Sequence, residues 1–166
     1  MKLVIIRHAK AILRGSPGYD DDMTRPLTDK GFAQFTRAAR WLGSSLRSVD
    51  AVFCSPAVRT AQTAELLAKE AKWPQAQTAS ELSPGSSPAD VLTLVSTLQP
   101  EGSYVLVGHE PMMSELVSIL VAGRPDALAL DFKPGAAGLV DAGAAHAAAG
   151  NCTLNWFVVP KLARGA

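Results

Sequence analysis

The sequence has little cysteine, few aromatic residues, almost no net charge and no long hydrophobic run. Its two cysteines, Cys54 and Cys152, lie far apart in apolar segments, which predicts two buried free thiols rather than a disulfide framework. The net charge is +1 and the basic residues are scattered, unlike the basic stripe of nucleic-acid-binding proteins. The first apolar run ends at Arg7, too early for a signal peptide or for a membrane span of about 20 residues. We therefore expect a cytoplasmic protein without nucleic-acid or membrane partners.

The rest of the composition is that of a folded chain. With 166 residues, 48% of them hydrophobic, it can bury a core, and we expect a single domain covering residues 1–166. Strands are predicted from short apolar runs, rich in β-branched residues, at 3–6, 50–54, 75–79 and 104–107. A helix is predicted after each of these strands, at 29–46, 55–72, 87–98 and 111–121. This alternation indicates an α/β fold with a mostly parallel sheet.

The two ends of this pattern are less regular. Three later strands are predicted without helices between them, which indicates antiparallel pairing at an edge, at 127–132, 138–141 and 152–159. Thr28 is expected to cap the first helix, and Ser55, with Pro56 at the first helical position, to cap the second. Residues 9–27 contain many turn-forming residues and no usable period, so they are predicted to form a loop. Loops of this length in small domains tend to be functional.

Arginine and histidine side chains follow two of the predicted buried strands at the point where each strand ends. Arg7 and His8 come directly after the first strand, and His109 follows Gly108 at the end of the fourth. Arg59 lies in the first helical turn after the second strand, where a cation opposes the helix dipole and an anion nearby is favoured. Because ligands of open α/β sheets bind at the carboxyl ends of strands, we expect these side chains to share one site.

Two guanidinium groups and two imidazoles at one edge suit a tetrahedral dianion such as a phosphoryl group. Arginine binds phosphate oxygens in bidentate fashion, and a neutral imidazole can attack phosphorus and form a covalent intermediate. Each residue alone also has a purely structural explanation, as a solvated arginine or a histidine bonded to the backbone. No metal site is expected, because the arginines would repel the ion and no third ligand is evident.

Several stretches of the sequence resemble the histidine phosphatase superfamily, which has a phosphoglycerate-mutase-like fold. Arg7-His8 is similar to its first motif, residues 55–63 (SPAVRTAQT) to its second arginine motif, and residues 108–111 (GHEP) to its second histidine motif. Residues 25–31 (RPLTDKG) and 81–84 (ELSP), with the short chain, resemble the SixA-type phosphohistidine phosphatase branch. The resemblance implies a three-layer α/β/α fold with a mostly parallel mixed sheet.

The resemblance also implies catalytic roles. His8 would attack phosphorus and become phosphohistidine. Arg7, Arg59 and His109 would bind the phosphoryl oxygens and stabilise the transition state, and no cofactor or metal would be needed because the arginines supply the positive charge.

The proton donor to the leaving group is open at this stage. Glu81 is the match by order along the chain, and the alternatives are the three adjacent acids Asp20, Asp21 and Asp22. Arg25 either reaches the pocket as a substrate-binding residue or pairs with these aspartates.

The expected function is that of a metal-independent phosphatase acting through phosphohistidine on His8. A phosphorylated protein is the expected substrate, because a short chain without a cap would leave the site open to a protein surface. Two alternatives stand beside it: a phosphatase of small phosphorylated metabolites on the same scaffold, and a regulatory module that binds phosphate without turnover. Residues 134–151, rich in alanine and glycine, carry no functional signal.

Overall fold

The computed structural model describes residues 1–163, so residues 164–166 of the predicted single domain lie outside the described part. The described residues contain the strands β1 (Lys2–Arg7), β2 (Ala51–Cys54), β3 (Gln77–Thr78), β4 (Ser103–Gly108), β5 (Ala137–Asp141) and β6 (Thr153–Val158). The α-helices are α1 (Asp29–Ser45), α2 (Val58–Leu66), α3 (Pro88–Ser96) and α4 (Met112–Ala122). Short 3₁₀ helices lie at Asp22–Thr24 and Ser80–Leu82, and a π-helical turn, Leu67–Ala71, continues α2.

The strands form one sheet in the order β3-β2-β4-β1-β5-β6. The first four strands are parallel, β5 pairs antiparallel with β1, and β6 pairs antiparallel with β5, so the late strands form the predicted antiparallel edge. In the registers of the central strands, Arg7 pairs with Gly108 and Cys54 with Val107. The residues that follow these strands, His8, Ser55 and His109, therefore emerge side by side at the same edge of the sheet.

Helices cover both faces of this sheet. In β1, Val4 and Ile6 pack in the core beneath α1 and α2, whereas Leu3 and Ile5 pack in the core beneath α3 and α4. Such two-sided burial explains why the strands are continuous apolar runs rather than alternating ones. The three-layer α/β/α architecture with a mixed sheet is confirmed.

The caps of α1 and α3 agree with the sequence, and the cap of α2 differs. The Thr28 hydroxyl accepts a hydrogen bond from the Gly31 N–H at 3.0 Å, so Thr28 caps α1 as predicted. Ser87 begins α3 with a reciprocal bond to Asp90. The prediction that Ser55 caps α2 was wrong: the cap is Ala57 and the helix begins at Val58. The Ser55 hydroxyl instead lies 2.8 Å from Nε2 of His109.

The strand predicted at 127–132 is also wrong. This segment forms bends and irregular chain, because the backbone N–H groups of Ala127 and Leu128 donate to the Ser118 hydroxyl at 3.1 and 3.0 Å instead of to a neighbouring strand. At its end Phe132 is buried against Phe157, with the ring centroids 5.0 Å apart. The segment thereby brings the carbonyl group of Phe132 to the end of β1.

Both cysteines are buried and unpaired, as predicted. Burial raises the pKa of the Cys54 and Cys152 thiols, which keeps them protonated and unreactive at neutral pH. Within residues 1–163, every helix is too short or too polar to cross a lipid bilayer.

Candidate active site

A pocket of about 520 Å³ opens at the carboxyl-end edge of the sheet. The structure brings Arg7, His8, Arg25, Arg59 and His109 together on its walls. The other walls come from the loop 83–88 and from the start of α4. The ring centroids of the two histidines are 5.2 Å apart, although the residues are separated by a hundred positions in the chain. The convergence expected from the strand ends is therefore present.

His8 has one ring nitrogen occupied and one available. Its Nδ1–H donates a hydrogen bond to the carbonyl oxygen of Ala9 at 2.7 Å, which selects the tautomer with a lone pair on Nε2. Burial, and then the nearby charges of Arg59, Arg7 and Arg25, lower the pKa of His8 to about 4. The imidazole is therefore neutral at pH 7, and Nε2 is free to act as a nucleophile.

His109 is held from both sides. A guanidinium group can only donate, so Nη2 of Arg59, 3.2 Å away, donates to Nδ1 of His109. The opposite nitrogen, Nε2–H, then donates to the Ser55 hydroxyl at 2.8 Å. Burial, followed by the charge of Arg59, lowers the pKa of His109 to about 3. The ring is thus neutral, with a defined tautomer and orientation.

The anion beside Arg59 is Asp22, from the loop that follows β1. Nη2 of Arg59 lies 2.8 Å from a carboxylate oxygen of Asp22, and Nη1 donates to the Asp22 carbonyl oxygen at 2.6 Å. Arg25 and Arg14 also lie 2.8 Å from this carboxylate. The hydrogen bond from Arg14, and then those from Arg25, hold the pKa of Asp22 well below its usual range. Arg25 therefore pairs with an aspartate of the acidic run, Asp22, and also lines the pocket.

Arg7 points its guanidinium group along the wall of the pocket. Its Nη1 donates to the carbonyl oxygen of Phe132 at 2.7 Å. Among the described residues, the buried side-chain nitrogens and oxygens without a hydrogen-bond partner are Nε of Arg7 and Nε of Arg59. Buried polar groups are almost always satisfied. Two unsatisfied guanidinium N–H groups in one pocket indicate a site with capacity for an anionic ligand.

Comparisons with known proteins agree with this geometry. A family model described as histidine phosphatase superfamily, branch 1, matches residues 3–83. An uncharacterized protein of Picosynechococcus is 32% identical over 126 residues, 75% of each chain. The phosphohistidine phosphatase SixA of Escherichia coli is 29% identical over 163 residues, 96% of this chain and 94% of that protein.

This chain belongs to the histidine phosphatase superfamily. It is of the SixA type within that superfamily, since a solved structure of the protein histidine phosphatase SixA complexed with tungstate superposes with a TM-score of 0.82. The superposition covers 98% of this chain and 99% of the other, at 28% identity. The chain is accordingly a histidine phosphatase, a hydrolase of phosphoryl groups.

The carboxylates of this histidine phosphatase are distributed differently from expectation. Glu81 lies in a 3₁₀ helix, accepts a hydrogen bond from the Ser80 hydroxyl at 3.2 Å and lines a neighbouring depression, not the pocket of His8. Asp20 and Asp21 are exposed on the loop. Glu110 does line the pocket, and burial raises the pKa of its carboxyl group. Glu115 also lines the pocket, but Glu110 is the donor candidate, because it lies next to His109 in the chain and its pKa is raised by burial.

Sequence reasoning missed Ser55 and Glu110. Ser55 was assigned to a helix cap because a serine before a proline is a common start signal, and its true partner is distant in sequence. The signal that could have found it is strand order: if β2 and β4 are neighbours, the residues after them must meet. Glu110 lies within the second histidine motif, and strand order also predicts its place, because it follows β4 at the same edge of the sheet.

Proposed function

We propose that the chain removes the phosphoryl group from phosphohistidine on a protein, through a covalent intermediate on His8. The observation that carries the proposal is the tautomer of His8, whose Nδ1–H is bonded to Ala9 while Nε2 remains unprotonated among three arginines. The Nε2 lone pair forms a bond to phosphorus as the bond between phosphorus and the leaving imidazole nitrogen breaks. Water then attacks phosphorus, breaks the bond to Nε2 and releases orthophosphate.

Arg7, Arg25 and Arg59 bind the phosphoryl oxygens in this proposal, and His109 joins them as the imidazolium, whose Nδ1–H replaces the lone pair that accepts from Arg59 in the structure. The support is the set of guanidinium N–H groups along the pocket, of which two are unsatisfied. These fixed donors supply the positive charge that a metal ion supplies in other phosphatases, so the proposed reaction needs no cofactor. Removal of one such donor typically costs about 2.7–4 kcal/mol of transition-state stabilisation, so each arginine is expected to matter in kinetics.

A trapping experiment tests the covalent step. The protein is mixed with ³²P-labelled phosphoramidate, quenched in alkali, in which phosphohistidine survives, and analysed for bound label. We expect label on the wild type, none on His8→Ala, and normal labelling of His146→Ala, whose side chain is exposed on a distant loop. Turnover by His8→Ala at the wild-type rate would remove His8 from the mechanism. Phosphate binding without turnover by the wild type would favour the regulatory module.

The leaving nitrogen needs a proton, and we propose Glu110 as its source in preference to Glu81. The support is location and charge: Glu110 lines the pocket of His8, and burial raises its pKa. Glu110→Gln is expected to lower kcat about 100-fold with an alkyl phosphate, whose leaving group needs the proton most, and less with phosphohistidine. Glu81→Gln is the matched control. A larger loss in Glu81→Gln would return the role to Glu81.

A protein substrate is favoured over a small metabolite by the SixA relatives and by the shape of the site. The pocket lies beside a short loop, 83–88, and residues 1–163 form no inserted domain above it. The test compares kcat/KM for a phosphorylated histidine-containing protein with kcat/KM for sugar phosphates. A preference of about 100-fold or more for sugar phosphates would favour the small-molecule phosphatase instead. The two buried, unpaired thiols support the expected cytoplasmic location.

A further inference from the structure

A second surface continues from the active site in the direction away from α4. A depression of about 390 Å³ shares Arg7, His8, Arg14 and Arg25 with the active-site pocket and extends over Lys10 to Pro134.

A further depression of about 280 Å³ shares Lys10 and Pro134 with the first one and reaches Lys161. We name this continuous surface the lysine groove, lined by Lys10, Leu13, Arg14, Lys133, Pro134 and Lys161.

The charged side chains that line the lysine groove are all basic. Among residues 1–163, no aspartate or glutamate lines either depression, whereas Glu110 and Glu115 line the active-site pocket. Two of the lining cations have acidic partners: Lys133 lies 2.7 Å from Asp131, and Arg14 lies 2.8 Å from Asp22. Asp22 is shared with Arg25 and Arg59, and Lys10 and Lys161 add further positive charge, so the surface stays net cationic. An approaching protein therefore meets cations on one side of His8 and the Glu115 side chain on the other. This asymmetry favours a single orientation of a partner with its own acidic side chains.

The lysine groove also has an apolar component. Leu13 and Leu162 are the large hydrophobic residues that stand out in solvent among the described residues, 75% and 72% exposed. Leu13 lines the first depression, and Leu162 follows Lys161 of the second. Single exposed hydrophobic residues are common on protein surfaces. Here both lie on the two segments that build one cationic surface, a combination suited to a partner with apolar and acidic side chains.

We propose that the lysine groove is the docking surface for the protein substrate, and that this substrate carries acidic and apolar side chains beside its phosphohistidine. The inference rests on the proposed function and specifies its partner. The phosphoryl group enters the pocket of His8 from the side of Arg14 and Arg25, while neighbouring carboxylates of the substrate contact the lysines. Glu115, on the other side of the pocket, repels the same carboxylates and disfavours the reverse orientation.

Charge reversal of the groove tests the proposal. The variant combines Lys10→Glu, Lys133→Glu and Lys161→Glu, and a single charge reversal outside the groove, Lys2→Glu, at the opposite end of β1 and also exposed, is the control. The probes are a peptide with phosphohistidine between glutamate and leucine residues, the same peptide with lysine in place of glutamate, and phosphoramidate. Assays at 0.15 M salt limit long-range effects on the small anion.

We expect kcat/KM for the glutamate peptide to fall at least about 10-fold in the triple variant, mainly through KM, because three favourable pairs become repulsive. In the triple variant, kcat/KM for the lysine peptide should rise or stay unchanged, and phosphoramidate turnover should stay within about twofold of the wild-type rate. Lys2→Glu should resemble the wild type throughout. Equal loss for all three probes, or no loss for the glutamate peptide, would overturn the proposal.

A binding measurement keeps docking separate from catalysis. The glutamate peptide is prepared with a stable triazole analogue of phosphohistidine, and its Kd is measured by fluorescence anisotropy. A Kd at least about 10-fold weaker for the triple variant supports docking at the groove whether or not the wild type turns over phosphoramidate. Absence of turnover would contradict the proposed function alone. Equal Kd values for the glutamate and lysine analogues would contradict the docking surface alone.

Discussion

His8 illustrates how one backbone contact prepares a side chain for chemistry. The bond from Nδ1–H to the carbonyl oxygen of Ala9 leaves the lone pair on Nε2, and burial among arginines disfavours a second proton. A histidine with the ordinary pKa of about 6.5 would be partly protonated, and so partly inactive, near neutral pH. The buried setting keeps the proposed nucleophile in its reactive form at lower pH.

The first prediction concerns this pKa. In a ¹⁵N NMR titration of the imidazole nitrogens, we expect His8 to titrate at about 4, the value to which burial lowers it. The nucleophile then stays deprotonated as pH falls from 7 to 5, so this group should cause no loss of kcat/KM in that window. A titration of His8 near 6.5 would contradict the burial of its ring among arginines.

Ser55 acts at the same scale, through another residue. Its hydroxyl accepts from Nε2 of His109 and also from the N–H of Ala57 at 3.3 Å, so it is a positioning residue for the histidine. Ser55→Ala leaves a buried imidazole N–H without a partner, which typically costs about 1–3 kcal/mol. We expect kcat to fall about tenfold or more, with KM changing less.

The control for Ser55→Ala is Ser118→Ala. Ser118 is also fully buried, its hydroxyl supports the turn around residues 124–128, and it does not line the pocket of the histidines. Urea unfolding and kcat are measured for both variants. We expect both to lose stability and only Ser55→Ala to lose kcat substantially. Parallel losses in the two variants would mean that Ser55 is merely structural.

The loop 9–27 and helix α1 behave as one unit at the element scale. The carbonyl oxygen of Lys10 accepts from the N–H of Thr28 at 2.9 Å, where the Thr28 hydroxyl caps the helix. Gly31 lies so close that an added Cβ would stand 2.0 Å from the Lys10 oxygen. The absence of a side chain at Gly31 therefore lets the loop that carries Asp22 and Arg25 begin and end against the helix.

Gly31→Ala tests this contact. A glycine replaced by alanine inside a helix normally gains about 0.5–1 kcal/mol, but here the methyl group would collide with a backbone oxygen. We expect a loss of about 1–3 kcal/mol in urea unfolding, as for other overpacked sites, together with weaker phosphate binding. Arg37→Ala, at an exposed position of the same helix, should be close to neutral. A higher unfolding free energy in Gly31→Ala would contradict this, because it would show that the loop backbone moves aside for the methyl group without loss of stability.

The two buried histidines make the stability of the whole molecule depend on pH. Burial lowers the pKa of His8 to about 4 and that of His109 to about 3, whereas both are near 6.5 in an unfolded chain. Between pH 6.5 and 4 the unfolded chain therefore binds more protons than the folded one, and stability falls as pH is lowered through this window. The Asp22 carboxyl, whose pKa is held low chiefly by Arg14, extends the loss to still lower pH.

The fourth prediction follows from this proton balance. Going from pH 7.5 to pH 5, the pKa of His109 alone should cost about 2 kcal/mol of unfolding free energy. His109→Gln should remove that part of the pH dependence, which urea unfolding at both pH values measures. The same loss of stability in the wild type and in His109→Gln would contradict the role assigned to this group.

Local pattern was enough to predict much of the fold. The core strands β1, β2 and β4 are apolar runs because both faces are buried, and α1 and α3 begin at side-chain caps that sequence identifies. The segment 127–132 was wrong because an apolar run only becomes a strand if a partner accepts its hydrogen bonds, and Ser118 took them. The assignment of residues 1–166 to one domain stays a prediction.

The candidate site, too, was predictable from the sequence only in part. Arg7, His8, Arg59 and His109 were identifiable because each immediately follows a predicted strand or begins the helix after one, and parallel strands end at one edge. Their hydrogen bonds were not identifiable, because three adjacent aspartates look alike in sequence until the fold turns one of them toward Arg59. The roles of these residues stay proposals until kinetics are measured.

The sequence by itself determined which side chains stand at the ends of the strands, since that depends on the order of apolar and polar residues along the chain. Only the tertiary structure decided which groups face them: Ser55 at His109, Asp22 at Arg59, Glu110 rather than Glu81 on the pocket wall. The physical reason is that hydrogen bonds and ion pairs act over about 3 Å. The neighbours at that distance come from segments that only strand order and helix packing bring together.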